Sequence, residues 1–277
     1  QRSQDELARF LQDGHELRLP TSEAPRVSIV VVLHNQAELT FQCLASLVEA
    51  IDAPCEVLLI DNASTDATAT LLARVRGARV LAQNENLHFL RAANLGATHA
   101  RGEHLLFLNN DAQLKPGSIR AALALLDGRG RVGAVGGKVV LMNGRLQEAG
   151  SIVWADGSCS GYGRGEDPDD AAFQFRREVD YCSGAFLMVR RALFEALGGF
   201  DPAYAPAYYE ETDFCMRLHQ AGHTVVYEPQ VEILHYEFGS SESEQTAVGL
   251  MQAHRAVFVD RHAQVLAREH RPHGTRA

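Results

Sequence analysis

The most continuous apolar run in the chain, Val27-Ser28-Ile29-Val30-Val31-Val32-Leu33, has the length of a strand. β-Branched and almost unbroken by polar residues, it predicts a strand covered on both faces, as in a parallel sheet. Glu56-Val57-Leu58-Leu59-Ile60 and His104-Leu105-Leu106-Phe107-Leu108 repeat the pattern, and residues 79–82 give a shorter strand. Between these runs apolar residues recur at helical spacing: over 38–51 (Leu39, Cys43, Leu44, Leu47, Val48, Ile51), over 67–75, and from the 84–89 loop through Ala100. This alternation predicts an α/β fold with a Rossmann-like, mostly parallel sheet flanked by helices.

The pattern loosens at both ends. A short amphipathic helix over 5–11 and a linker over 19–25 precede the first strand. After Asp111 the spacing predicts a helix over 118–126, a strand over 132–141 broken at Gly136-Gly137, and a short strand over 151–154. A Gly- and Asp-rich loop over 159–170 is expected to be mobile; its Gly161-x-Gly163-x-Gly165 lacks the spacing and context of a dinucleotide fingerprint. Helices follow over 190–197 and from an acidic start at 208–213 to about Gln220, then a strand over 224–227 and a long helix over 246–266. The basic tail, 268–277, is expected to be solvated.

In an open α/β sheet ligands bind beyond the carboxyl ends of the strands, and here those ends are small and polar. His34-Asn35, Asp61-Asn62 and Asn109-Asn110-Asp111 follow the three long apolar runs. Asn-Asn-Asp offers amides for hydrogen bonding and one carboxylate for a hard cation such as Mg²⁺; the same residues also cap turns. The acidic cluster Glu210-Glu211-Thr212-Asp213 has an ordinary reading as the complement to a helix dipole.

Composition narrows the classes. A formal charge of -9 over 277 residues argues against nucleic acid as a partner. With 46% hydrophobic and 22% charged residues, an ordinary globular core is expected. The five scattered cysteines, with no C-x-x-C, suggest reduced thiols in a cytoplasmic protein. No stretch approaches the ~20 apolar residues of a membrane helix, and the N-terminus lacks a signal-peptide core. Opening on Gln1 rather than Met, the sequence is expected to be part of a longer chain or assembly.

Taken together, the segments resemble the family 2 glycosyltransferases of the GT-A fold, especially the bacterial rhamnosyltransferase-like branch. The matching motifs are V-S-I-V-V-V-L-H-N at 27–35, D-N-A-S-T-D at 61–66, N-x-x-F-x-x-A-x-N-x-G at 86–96 and F-L-N-N-D at 107–111. S-G-A-F-L-M-V-R-R at 183–191, G-G-F-D at 198–201, Y-E-E-T-D-F-C-M-R-L at 209–218 and H-x-E-F-G-S-S at 235–241 complete the series. The resemblance implies an inverting, metal-dependent transfer of a sugar from a UDP- or dTDP-linked donor to a glycan or lipid-linked glycan acceptor, as in bacterial surface polysaccharide assembly. It implies an N-terminal helix and linker (1–25), a catalytic domain over 26–241 with a nucleotide-sugar half (26–115) and an acceptor half (116–241), and a C-terminal helix and tail (242–277). Peripheral association with the inner face of a membrane is compatible with it.

Carried over residue by residue, the resemblance puts Leu33, His34, Asn35, Asp61 and Asn62 around the donor base, Asn94 and Asn110 at ribose and diphosphate, and Asn109 and Gly184 along the donor. Asp111, the last residue of the D-x-D position, and His235 would hold Mg²⁺ or Mn²⁺. Glu211 matches the family's base, with Glu where Asp is usual; Asp213 is the fallback. Trp154 and Glu210 are acceptor-side candidates, and Arg217 either touches phosphate or pairs with Glu211 or Asp213. Two alternatives stand beside this reading. A sugar nucleotidyltransferase would carry a basic, Gly-rich loop after the first strand, where this chain has His34-Asn35-Gln36-Ala37. A degenerate glycan- or nucleotide-binding module would tolerate Asn62, Asn109 and Glu211.

Overall fold

A computed structural model of the chain describes residues 2–128, 130–236 and 244–275. Its elements in chain order are α1 (Arg2–Gln12), β1 (Leu17–Arg18), β2 (Val27–Leu33), α2 (Ala37–Ala50), β3 (Cys55–Asp61), α3 (Thr68–Leu72), β4 (Val75–Arg76), β5 (Ala78–Ala82), α4 (His88–His99), β6 (His104–Asn109), β7 (Ala112–Leu114) and α5 (Ser118–Leu126). The second half adds β8 (Val132–Leu141), β9 (Leu146–Ala149), β10 (Ser151–Val153), β11 (Cys159–Gly161), β12 (Arg177–Val179), β13 (Phe186–Arg190), α6 (Arg191–Ala196), α7 (Glu210–Gln220), β14 (Thr224–His235) and α8 (Glu244–Glu269).

One sheet runs through both halves in the order β12-β14-β8-β13-β6-β2-β3-β5, with β7 added to β14 and β9 to β8. β6, β2, β3 and β5 are parallel, so their carboxyl ends share one edge. β13 runs antiparallel to both β6 and β8 and turns the sheet from one half into the other. Although β2 is apolar on both sides, its side chains divide. Val27, Ile29, Val31 and Leu33 pack with Leu44, Leu47 and Ile119 from α2 and α5. Val30 joins Leu58, Ile60, Phe107 and Leu90 on the other face, with Phe194 and Phe214 from α6 and α7. Each such side chain, fully buried, contributes roughly 1.5–3 kcal/mol.

Several expectations change in contact with the fold. The 19–25 linker is preceded by β1, which pairs with β4 and cuts short the helix expected over 67–75. Gly136-Gly137 does not break its strand. β8 is continuous, and a Cβ at Gly137 would sit 2.3 Å from Val231 Cγ1, so glycine is needed for close approach to β14. The strand expected over 224–227 runs on to His235 through a register shift between Glu228 and Glu232. The 159–170 loop is tied down: β11 pairs with β10, Gly165 N–H reaches Leu146 O, and a Cβ at Gly163 would meet the Phe173 ring at 2.4 Å. The tail is docked through His270 Nδ1 to Val153 O at 2.8 Å and Ala155 N–H to Arg271 O. Residues 237–241, the end of the last motif, lie outside the described residues.

A buried carboxylate gathers the polar contacts that fasten α8 to α7, beside a Gln220–His262 hydrogen bond at 3.2 Å. Asp213, fully buried, accepts hydrogen bonds from Arg217 Nε at 2.7 Å, His262 Nε2 at 2.9 Å, Tyr204 Oη at 3.1 Å and Arg261 Nη1 at 3.2 Å. Burial would raise its pKa, but the His262 hydrogen bond and the Arg217 charge outweigh that and hold the carboxyl below its ordinary value. Removing one side of a buried ion pair leaves charge uncompensated, at a cost of about 3–5 kcal/mol. Because Arg261 is 35% exposed, its arm counts for less. Asp213→Asn is therefore expected to lose about 3 kcal/mol in urea unfolding, and a loss under about 1 kcal/mol would show that the cluster is not what holds α8.

Candidate active site

The shared edge of β2, β3 and β6 opens into a cavity of about 490 Å³. Its first wall carries Val32, His34, Asn62, His88 and Phe89, and its floor is Asn109, Asn110 and Asp111. His34 Nδ1 donates to Asn62 O at 2.8 Å, which cross-links the ends of β2 and β3. Asn62, 1% exposed, gives Nδ2–H to His88 O at 3.3 Å, while its Oδ1 has no partner among the described residues. Asn110 donates to Thr40 Oγ1 at 3.1 Å and so fixes the turn that presents Asp111.

Asp111 Oδ1 lies 3.1 Å from His235 Nε2, a residue 124 positions away. The β7–β14 pairing creates this meeting by setting His235 opposite Ala112. His235 Nδ1 is 2.8 Å from Gln147 Oε1, and Asn109 Nδ2 is 3.5 Å from His235 Nε2. With Nδ1–H given to Gln147, Nε2 is turned toward Asp111, where a deprotonated ring nitrogen would share a cation with the carboxylate. Among the described residues no three His, Cys, Asp or Glu gather as a metal cage. One carboxylate and one imidazole fit a cation that keeps waters and completes its shell with substrate phosphate, the habit of Mg²⁺ and of Mn²⁺ in similar sites. The Gln147 contact is of the kind that fixes a ligating tautomer.

The opposite wall is acidic. Tyr208 and Tyr209 precede α7 with φ of 76° and 70°, both left-handed, a conformation that costs about 1–3 kcal/mol per non-glycine residue. His254 Nδ1 of α8 donates to Ala207 O and Tyr208 O, each at 3.0 Å, and so braces this turn. It delivers Glu210 and Glu211 to the cavity, where one oxygen of each has no partner among the described residues. Burial pushes the Glu211 carboxyl up to about 7; hydrogen bonds from its own backbone, Gly184 and Thr212 work against the rise and the Glu148 charge adds to it. Glu210 is raised well above its ordinary value by burial and then by the Glu211 charge.

Not every expected residue reaches the cavity. Leu33 is fully buried in the core and contributes only its carbonyl, which accepts Asn62 N–H. Asn35 Oδ1 accepts Thr65 N–H at 2.8 Å and Asp61 Oδ1 accepts Ser64 N–H at 3.1 Å, so both build loops outside the lining. Asn94 exchanges two hydrogen bonds with the Phe200 backbone, at 2.7 and 3.0 Å, and clamps α4 to the G-G-F-D segment instead of facing ribose. Trp154 is packed away, its Nε1–H on Ser160 Oγ at 2.8 Å and its ring against His273. Arg217 pairs with Asp213 and caps Leu197 O and Gly199 O, and Asp213 itself is outside the cavity. Gly184 does line it.

The lining also includes Glu148, Tyr181 and Arg164, and from α8 Leu250 and Met251. The sequence offered one overlooked signal for them: Gln147-Glu148, two polar residues in a short apolar strand that is buried at every position.

Residues 28–198 match the family model described as "Glycosyl transferase family 2". The chain is 30% identical over 239 residues to the O-antigen biosynthesis protein RfbC of Myxococcus xanthus, covering 83% of this chain and 19% of that protein. It is 30% identical over 265 residues to the N-acetylglucosaminyl-diphospho-decaprenol L-rhamnosyltransferase of Mycobacterium tuberculosis, covering 85% of this chain and 84% of that one. The uncharacterized protein y4gI of Sinorhizobium fredii is 25% identical over 82% of the chain, which spans 26% of that protein's length. The chain thus spans about a quarter or less of two of these relatives. The mannosyltransferase PcManGT from Pyrobaculum calidifontis, solved with GDP-Man and Mn²⁺, has a TM-score of 0.60 at 19% identity over 98% of this chain and 74% of that one, and the shared architecture is GT-A. A GT-A sheet whose strand ends build the cavity, and a family model that runs from β2 through α6, lead to one assignment: the chain belongs to glycosyl transferase family 2.

Proposed function

We propose that this protein transfers a sugar, with inversion, from a UDP- or dTDP-linked donor to a glycan or lipid-linked glycan acceptor, assisted by Mg²⁺ or Mn²⁺. The observation that carries this reading is the pairing of two unlike walls in one cavity. Asp111 and His235 face it from the strand ends, and the raised carboxyl of Glu211 faces it from α7.

Asn62 Oδ1, buried and free to accept, suits the ring N–H of a pyrimidine base. Held by Asp111 and His235, the divalent cation would offset the negative charge that develops on the leaving diphosphate. Glu211 as a carboxylate accepts the acceptor hydroxyl's proton while the new C1–O bond forms and the bond from C1 to the phosphate oxygen breaks on the opposite face. Glu210, beside it on α7, lines the acceptor side of the cavity. Leu250, Met251 and Phe89 supply apolar cover against water. A lipid-linked acceptor would be met at a membrane surface; no helix among the described residues is long and apolar enough to cross one.

Glu211→Gln keeps shape but not basicity, and should lower turnover on the order of 10²–10⁴-fold with donor affinity changed less than about threefold. Unaltered turnover would remove Glu211 from the chemistry. Since only the deprotonated carboxylate is a base, wild-type turnover should climb with pH through about 7 and level above it. A limb near the free glutamate value of about 4.3 would contradict a buried base. Asp111→Asn should abolish the Mn²⁺ dependence of UDP-sugar or dTDP-sugar binding in calorimetry, and an unchanged dependence would show that the cation is held elsewhere.

A further inference from the structure

His88 opens α4 in a left-handed conformation, φ 56°, which glycine adopts freely and other residues hold uncommonly. The turn needs only its backbone. The N–H donates to Asn86 Oδ1 at 2.8 Å, and the carbonyl accepts Asn62 Nδ2–H at 3.3 Å. Glycine would supply both groups without a side chain to accommodate. The chain carries an imidazole here instead, exposed on the cavity wall and making no hydrogen bond among the described residues.

That ring stands beside an unanswered acceptor. His34 Nδ1 donates to Asn62 O at 2.8 Å, so His34 and His88 hold Asn62 from its backbone and from its amide. Of the two amide groups only the NH₂ can donate to the His88 carbonyl, and this fixes Oδ1 as the acceptor left over. Asn62 is buried, and its Oδ1 has no partner among the described residues. Both Asn62 and His88 line the cavity, so a ligand that reaches Oδ1 passes the imidazole.

We propose that His88 is a further donor-binding residue: its imidazole packs on the nucleoside whose base meets Asn62 Oδ1, and the left-handed turn is kept to place that ring. The inference rests on the nucleotide-sugar reading above. A ring packed on a base needs no particular hydrogen bond, so it serves uracil and thymine alike. His88 then acts on the nucleoside, while Asp111 and His235 act on the diphosphate through the cation.

The test is calorimetry with Mn²⁺ on the wild type, His88→Gly and His88→Asn. The probes are UDP, dTDP and inorganic pyrophosphate, which keeps the diphosphate and lacks the nucleoside. Glycine and asparagine both suit a left-handed turn, so neither variant should lower the thermal midpoint by more than roughly 2 °C. Affinity for the nucleotide that the wild type binds should fall about tenfold in both variants, with pyrophosphate affinity changed less than about threefold. Unchanged nucleotide affinity in either variant overturns the proposal. An equal loss for pyrophosphate overturns it too, by moving the effect to the diphosphate, and so does a larger fall in thermal midpoint, which would make the ring a part of the fold. Failure of the wild type to bind UDP or dTDP would instead overturn the nucleotide-sugar reading, and that result comes from a different protein.

Discussion

Burying a carboxylate is costly unless donors answer it, and the cavity is organised by which carboxylates are answered. Asp213 has four donors and serves as the fastening of α8. Glu148 has two, the Ser151 hydroxyl of β10 and the Ser183 N–H of the turn before β13. Asp111 meets the His235 imidazole. Glu210 and Glu211 each keep an oxygen with no partner among the described residues, and burial raises both carboxyls. Reactivity is concentrated where satisfaction fails, and the satisfied carboxylates hold that place rigid.

The sheet makes this possible by joining two kinds of pairing. Parallel β2, β3 and β6 bring three polar loops to one edge, as any open α/β sheet does. The antiparallel β13 and the long β14 then fold the second half back over that edge. Through the β6–β13 pairing Phe186 sits opposite Leu108, so Gly184 lies beside the Asn109–Asp111 loop; through β7–β14, His235 reaches Asp111. The roof comes from α8, whose His254 braces the left-handed Tyr208-Tyr209 turn and whose Leu250 and Met251 line the cavity.

Much of this was legible in the sequence because local pattern and burial agree. β2 and α5 fall on the expected 27–33 and 118–126, since an unbroken β-branched run and an amphipathic run each have one way to be buried. The strand-end residues Asn62, Asn109, Asn110 and Asp111 could be read from position alone. What could not be read depends on distant partners. Asn94 looks like a ligand residue but spends its amide on Phe200, 106 positions away. Asp213 and Glu211 are two residues apart and similar in sequence, yet Arg217, Arg261 and His262 gather on Asp213, while one Glu211 oxygen has no partner among the described residues. Gly136-Gly137 resembled a break because nothing local reveals that Val231 and Cys182 press against it. For Glu148 the sequence offered only the polar pair Gln147-Glu148, since its two donors come from β10 and from the turn before β13.

The central claim is that a nucleotide sugar binds between the parallel strand ends and the α7 turn. Hydrogen–deuterium exchange on the full chain, with and without a UDP- or dTDP-sugar plus Mn²⁺, tests it directly, because amides of the loops after β2, β3 and β6 are read separately from those of α7. The account predicts slowed exchange in residues 34–36, 62–64, 109–112 and 183–185 together with 207–211. Protection confined to surfaces away from this cavity, such as α1 and α5, would contradict it.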